Sequence, residues 1–200
     1  MNSNNMYIYG ASGHAKAVLD LLEDLAGVKG VYDDNMGVKS ILGLEVSHPN
    51  SKKLPGDFPY IVAIGSNLVR KNIVEQKLAE HAFVTLVHPS SIVSKAAELG
   101  VGTVLMENSI VKIDSTVGNH VIINTASTVD HDCVVGDYGH IGPGATLCGG
   151  VSIGKGTLIG AKAVVLPGVK VGEWCAIAAG SIVHQDVADG ATWIGTALKK

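Results

Sequence analysis

The chain has 200 residues and a net charge of −3; 46% of it is apolar but only 4% aromatic, and it holds 25 glycines. That length suffices for one large or two small domains whose core is built from Val, Ile, Leu and Ala rather than from rings. It has no basic cluster to suit nucleic acid and no apolar run near the ~20 residues of a membrane span.

The opening residues Met1–Asn5 lack a signal-peptide pattern. Cys133, Cys148 and Cys175 are odd in number and not at metal-ligand spacing. They read as reduced thiols in a cytoplasmic protein with no metal site.

Met6–Tyr9 reads as a first strand, and Gly10-Ala-Ser-Gly-His14 as the turn after it. From Ala15 to Leu25, apolar Val18, Leu21, Leu22 and Leu25 mark one face of a helix. Gly30–Asp34 is a second strand ending in two acids, and Tyr60–Ile64 a third ending in Gly65-Ser66-Asn67. Ser66 or Asn67 caps a helix running from Leu68 to about Glu80. Phe83–Val87 is a last strand leading into His88-Pro89, a hinge at which a cis bond is one option. This βαβ order predicts a small parallel sheet of Rossmann type over residues 1–86.

A strand–turn–helix loop such as Gly10–Ala15 offers backbone N–H groups and a helix dipole to a phosphate. The full dinucleotide fingerprint needs a third glycine where Ala15 stands. A nucleotide-diphosphate site, an NAD site and a plain structural turn all stay open on the loop alone. An NAD-dependent oxidoreductase would need far more chain. Asp33 and Asp34 either accept hydrogen bonds from a base or ribose or form a solvated strand end.

From Val87 the pattern changes to a strict period of six. All 17 positions in steps of six from Val87 to Val183 are Leu, Ile or Val. Four residues after each stands Ser, Thr, Ala, Gly, Cys or Val, and Gly often follows the aliphatic residue directly, as at Gly118, Gly136, Gly154 and Gly160. Such a period predicts a triangular solenoid over residues 87–200. The aliphatic residues stack inward, the small residues let the chain turn in a narrow core, and Gly or Asn takes the backbone angles of the corners. A solenoid of this kind serves catalysis or structure alone.

Within the repeat, His131 falls off the inward rows and sits between Asp130 and Asp132. An imidazole beside a carboxylate suits the role of a general base; a surface histidine between two acids is the other reading.

The hexapeptide pattern resembles the acyltransferases with a left-handed parallel β-helix that work as trimers. The motifs Ile8–His14, Asp33-Asp34, Ala63–Asn67 with Arg70-Lys71, Asn124–Thr128, Asp130–Cys133, His140, Gly144-Ala145 and Val164–Gly168 are similar to those of a narrower group. That group comprises the N-acetyltransferases of nucleotide-linked 4-amino-4,6-dideoxy sugars and the related sialic acid O-acetyltransferases. The resemblance implies an acetyl-CoA-dependent enzyme with a nucleotide-linked amino sugar as partner, a homotrimer, and no metal, nucleic acid or membrane insertion.

By the same resemblance, His131 is the base and Asp132 its acid, where many relatives have Glu. His140 lies near the thioester, Gly149 offers an N–H to the acetyl carbonyl, and Ala161 and Ala179 contact the coenzyme. Ser12, Gly13, His14, Asp33, Asp34 and Gly65 line the nucleotide-sugar pocket. Ala15 departs from the family's frequent Gly, and Trp193–Lys200 resembles its closing segment without the proline. Sialic acid O-acetylation and a non-catalytic scaffold that binds nucleotide sugar are the competing functions.

Overall fold

Short runs of β-branched residues set the architecture of the computed structural model, which describes residues 5–49 and 54–199. Met1–Asn4, the bulk of the leader reading, and Lys200 lie outside the described residues. The chain divides into two compact units, residues 1–85 and 86–200.

In the first unit, β1 (Met6–Tyr9) is fully buried and is flanked in parallel by β2 (Val28–Tyr32) and β5 (Tyr60–Val62). Between them α1 covers Gly13–Asp20 and buries Ala15, Val18 and Leu19. It ends earlier than Leu25 because the chain leaves the helix at Leu21, and beyond it Asp24 accepts the N–H of Ala26 in a tight turn. Helix α2 covers Asn67–Lys77 with Ser66 as N-cap, although no side chain caps it.

A hairpin that sequence patterning missed, β3 (Ser40–Ile41) and β4 (Leu44–Ser47), extends the sheet, whose order is β3-β4-β2-β1-β5. The expected last strand, Phe83–Val87, is not continuous. Phe83 makes a single bridge to Tyr60, whereas Leu86–Val87 pairs with Val104–Leu105 of the second unit. No cis peptide occurs among the described residues, so His88-Pro89 is trans.

The second unit is a left-handed parallel β-helix of two-residue strands arranged in three sheets. Each strand pairs with the one 18 residues on, so that Thr128-Val129 meets Thr146-Leu147 and His140-Ile141 meets Leu158-Ile159. The inward aliphatic column from Leu105 through Val183 is buried, and Trp193 closes the end of the core at 0% exposure. The Trp193 indole N–H reaches the carbonyls of Ile182 and Gly195 at 3.1 Å each.

The corner angles differ from the expectation. The left-handed conformation falls three residues after each aliphatic residue, at every sixth position from Gly102 to Gly180, with φ between +54° and +71°. Asn108, Asp114, His120, Lys162 and Trp174 adopt it as well as glycines. The glycines that directly follow the aliphatic column serve close approach instead. A Cβ at Gly154 would stand 2.5 Å from Glu173 N, and one at Gly160 the same distance from Ala179 N. A side chain there would push successive coils apart.

Candidate active site

The corner after strand Thr128-Val129 carries Asp130, His131 and Asp132. Each amide there needs an acceptor, and Asp130 supplies one: its Oδ1 takes the His131 N–H at 2.8 Å and lies 3.4 Å from Lys112 Nζ. The His131 N–H, followed by the Lys112 ammonium, holds the Asp130 carboxyl below the usual carboxylate range.

Asp132 occupies the left-handed corner position, φ +59°, which turns its side chain back on its neighbour. His131 Nδ1 and Asp132 Oδ2 are 2.7 Å apart. The carboxylate therefore accepts a hydrogen bond from Nδ1–H, which leaves Nε2 with a lone pair. The shorter Asp, in place of the Glu of many relatives, makes this contact because the corner backbone brings the two side chains together. The His131 side chain remains 55% exposed.

Gly149 lies one coil further on, in the same column as His131. A Cβ there would stand 2.5 Å from His131 Cε1 and 2.6 Å from Nε2, so the imidazole occupies space that only glycine leaves open. Gly149 O accepts the N–H of Gly168, while the Gly149 N–H meets no acceptor among the described residues. It is a free donor beside the imidazole, the arrangement that a developing oxyanion requires.

The N–H groups of Ala161 and Ala179 share this condition. They stack one coil apart on a different corner, the one after strands Leu158-Ile159 and Ala176-Ile177. Gly142, Gly160, Pro143 and Ala178 beside them leave a strip without long side chains, room for an extended chain such as that of a coenzyme.

At the same corner Asn124 Nδ2 and His140 Nε2 are 3.0 Å apart. Asn124 Oδ1 accepts the N–H of Thr125, so its amide NH₂ faces the ring and His140 Nε2 is the acceptor. One prism therefore places His131, Asp132 and Gly149 on one edge and His140, Ala161 and Ala179 on another. Asn124 was quoted in a motif, but its link to His140 comes from the coil geometry alone.

The three thiols do not suit nucleophilic attack. Cys133 and Cys175 are buried in the small inward row. Burial pushes the Cys133 and Cys148 thiols up, with the Asp130 charge adding to both.

In the first unit the sheet order reverses at β1, since the chain goes to β2 on one side and later to β5 on the other. Ligands of open α/β sheets bind outside the carboxyl ends of the strands at such a point. Gly10 there has φ +118°, and a Cβ on it would meet Ala63 O at 2.7 Å. Ser12 begins α1 without using its hydroxyl as a cap.

Ala15, in place of the third glycine, is fully buried in the first turn. The His14 imidazole packs near Gly65, which sits at the other strand end. Burial, then the nearby Arg70 charge, lowers its pKa to about 4, so His14 is neutral at pH 7.

The two acids divide their work. Asp33 braces the loop by accepting the N–H of Ala11 at 2.6 Å and of Asn35 at 2.7 Å. Asp34 accepts the Tyr9 hydroxyl at 2.9 Å and the Lys77 ammonium at 2.5 Å, and burial followed by that carboxylate pushes the Tyr9 hydroxyl far up. Tyr9 lies within the Ile8–His14 motif, but its link to Asp34, like that of Lys77, comes from the fold alone. Among the described residues, no group of three or more His, Cys, Asp or Glu is placed to hold a metal, and no helix is long and apolar enough to cross a membrane.

Residues 5–77 match the family model described as the PglD N-terminal domain, and residues 150–185 the bacterial transferase hexapeptide (six repeats). A UDP-N-acetylbacillosamine N-acetyltransferase of Bacillus subtilis is 36% identical over 97 residues, 44% of this chain and 45% of that relative. The match thus spans less than half of the curated relative's length.

Solved structures match nearly end to end. The acetyltransferase domain of PglB from Neisseria gonorrhoeae has a TM-score of 0.89 at 34% identity, covering 97% of this chain and 98% of that one. PerB from Caulobacter crescentus, in complex with CoA and GDP-perosamine, has a TM-score of 0.88 at 33% identity, covering 98% and 96%.

Proposed function

We propose that this chain, which belongs to the hexapeptide-repeat N-acetyltransferases of nucleotide-linked amino sugars, moves the acetyl group of acetyl-CoA to the 4-amino group of a nucleotide-linked amino-dideoxy sugar. The observation that carries the reading is the His131–Asp132 contact at 2.7 Å beside the unengaged Gly149 N–H. His131 and Gly149 lie within one column of the prism, which supports a base and an oxyanion donor side by side.

The first unit holds the nucleotide, with Ser12, Gly13, His14 and Gly65 toward its diphosphate. Asp34, with Asp33 bracing the loop, serves the nucleoside. The sugar ammonium first loses a proton to solvent, and His131 Nε2 takes a second proton from the neutral amine as its nitrogen attacks the thioester carbonyl. The Asp132 carboxylate stabilises the imidazolium so formed. Gly149 N–H donates to the carbonyl oxygen as charge builds on it. The C–S bond then breaks and CoA departs as thiol, with the His131 proton available to it. Ala161 and Ala179 hold the coenzyme through their N–H groups, and His140 lies toward its thioester end.

A trimer completes this site. The sheet between the two functional edges carries Ile92, Ile110, Thr128, Thr146, Val164 and Ile182 on its outer face, all β-branched and none charged. Ile92 is 64% and Ile182 45% exposed in the single chain. If that face turns to a threefold axis, the His131 edge of each subunit adjoins the His140 edge of the next. Each site would then draw on two subunits. The same face supports a homotrimer rather than a single chain.

The test is thiol release from acetyl-CoA against UDP-, TDP- and GDP-linked 4-amino sugars and free sialic acid. Turnover on one amino sugar supports the proposal. Turnover on sialic acid alone moves the assignment to O-acetylation, and binding of nucleotide sugar without turnover favours a scaffold.

A further inference from the structure

The Val164–Gly168 motif has no part in the chemistry proposed above, yet its turn stands one coil beyond Gly149. Val165 points into the core at 0% exposure, which turns Leu166 outward, where it stays 36% exposed. The Cys148 N–H donates to Val165 O at 3.0 Å, and the Gly168 N–H to Gly149 O at 3.0 Å. Leu166 is therefore stacked in register with Cys148, and Pro167 with Gly149.

The direction of the Gly149 N–H follows from its own peptide. The buried Cys133 thiol donates to the Cys148 carbonyl at 3.2 Å, so that carbonyl points into the prism. In a trans peptide the following N–H points the opposite way, and the Gly149 N–H is directed outward. On one side of this donor lies the His131 ring, which leans over Gly149 from the preceding coil. On the other side the next coil presents Leu166 and Pro167. Pro167 has no N–H with which to hold a second oxygen, so this side is an apolar wall.

The spacing of that wall limits what fits. Successive coils stand about 4.8 Å apart, and carbon atoms approach one another to about 3.5–4.0 Å. An acyl group whose oxygen takes the Gly149 N–H therefore has room for one methyl group beside the Leu166 side chain. A longer chain would run into it.

We propose that Leu166, backed by the Pro167 ring, is the residue that sets acyl-chain length, admitting acetyl and refusing longer groups. The proposal rests on the acetyltransferase reading above and gives Leu166 no part in proton transfer.

The test compares kcat/KM for acetyl-, propionyl- and butyryl-CoA on one nucleotide-linked 4-amino sugar, in wild type, Leu166→Ala and Leu166→Val. The oligomeric state of each is recorded. A merely structural role would scale the three thioesters alike, so the ratio between them is the readout. Wild type is expected to prefer acetyl- to propionyl-CoA by at least about tenfold, and Leu166→Ala to lower that preference about tenfold.

An unchanged ratio in Leu166→Ala would overturn the proposal, as would a wild type that uses propionyl-CoA as well as acetyl-CoA. If Leu166→Ala does not fold or assemble, the ratio in Leu166→Val decides. A fall in the acetyl preference of about threefold there supports the proposal, and no change contradicts it. A wild type that transfers no acyl group from any of the three thioesters would instead refute the acetyltransferase reading itself.

Discussion

The His131 ring rests on the backbone of Gly149, one coil away, so closely that a methyl group on Gly149 would stand 2.5 Å from Cε1. The seat of the proposed base and the proposed oxyanion donor are therefore one residue. Gly149→Ala is expected to displace the imidazole from Asp132 and lower kcat by about two orders of magnitude, while the melting temperature changes little. Steady-state kinetics with calorimetric scans check this; a fully active Gly149→Ala variant would show that the ring does not need this seat.

Asp132 fixes the tautomer of His131 through the 2.7 Å contact to Nδ1. Asp132→Asn keeps the shape but offers either an acceptor or a competing donor. Its kcat is expected to fall by about 10²-fold or more, with KM for both substrates nearly unchanged. A large rise in KM with kcat preserved would instead mark Asp132 as a binding group.

The two edges of the prism make a shared site testable by mixing subunits. His131→Ala and His140→Ala homotrimers are each expected to be impaired. After co-refolding, about a quarter of sites would pair an intact His131 with an intact neighbouring His140. Recovery of activity near that fraction supports a site built from two subunits. Activity no higher than the mean of the two parents places both histidines in one subunit's site.

His14 gives the first unit a pH signature. Unfolded, the ring titrates near 6.5, and in the fold at about 4, chiefly because it is buried and secondly because of Arg70. Between these values only the unfolded chain takes up the proton. Its contribution to stability is therefore fully present above pH 6.5 and falls as pH drops toward 4, by up to about 1.4 kcal/mol per pH unit. His14→Asn should flatten the fall in urea-unfolding free energy across that window. An unchanged slope would mean that His14 titrates normally in the fold.

The raised thiols of Cys133 and Cys148 argue for direct attack rather than an acetyl-cysteine intermediate. Cys148→Ala is expected to keep kcat within about threefold of wild type, and rapid quenching with mass spectrometry should find no acetylated cysteine. A burst of acetyl-enzyme lost in Cys148→Ala would reverse this.

The repeat was legible because residues 18 apart share one environment, so Leu105, Ile123 and Ile141 face the same core. The corner register was not. Glycines after the aliphatic column look like turn residues, but close approach of coils selects them, and His120 or Trp174 take the left-handed angles instead. The hairpin at Ser40–Ser47 escaped notice because its strands are short and its turn uses Leu42 at φ +46° where Asn or Asp is usual.

In the site, His131 and Asp132 are sequence neighbours and could be paired on sight. Gly149 and the small-residue strip at Ala161 and Ala179 depend on coil arithmetic that only the folded register supplies. Nothing in the periodicity of α2 separates buried Arg70 from Lys71, which is tied to Glu75 at the surface.

The most direct measurement is the turnover number on a nucleotide-linked 4-amino sugar for wild type and for His131→Gln, with acetyl-CoA and nucleotide affinities measured on both. The N-acetylated product is expected from wild type, with kcat at least about 10³-fold lower in His131→Gln and both affinities preserved. A His131→Gln variant that acetylates the sugar at the wild-type rate would contradict the central claim that this imidazole is the base.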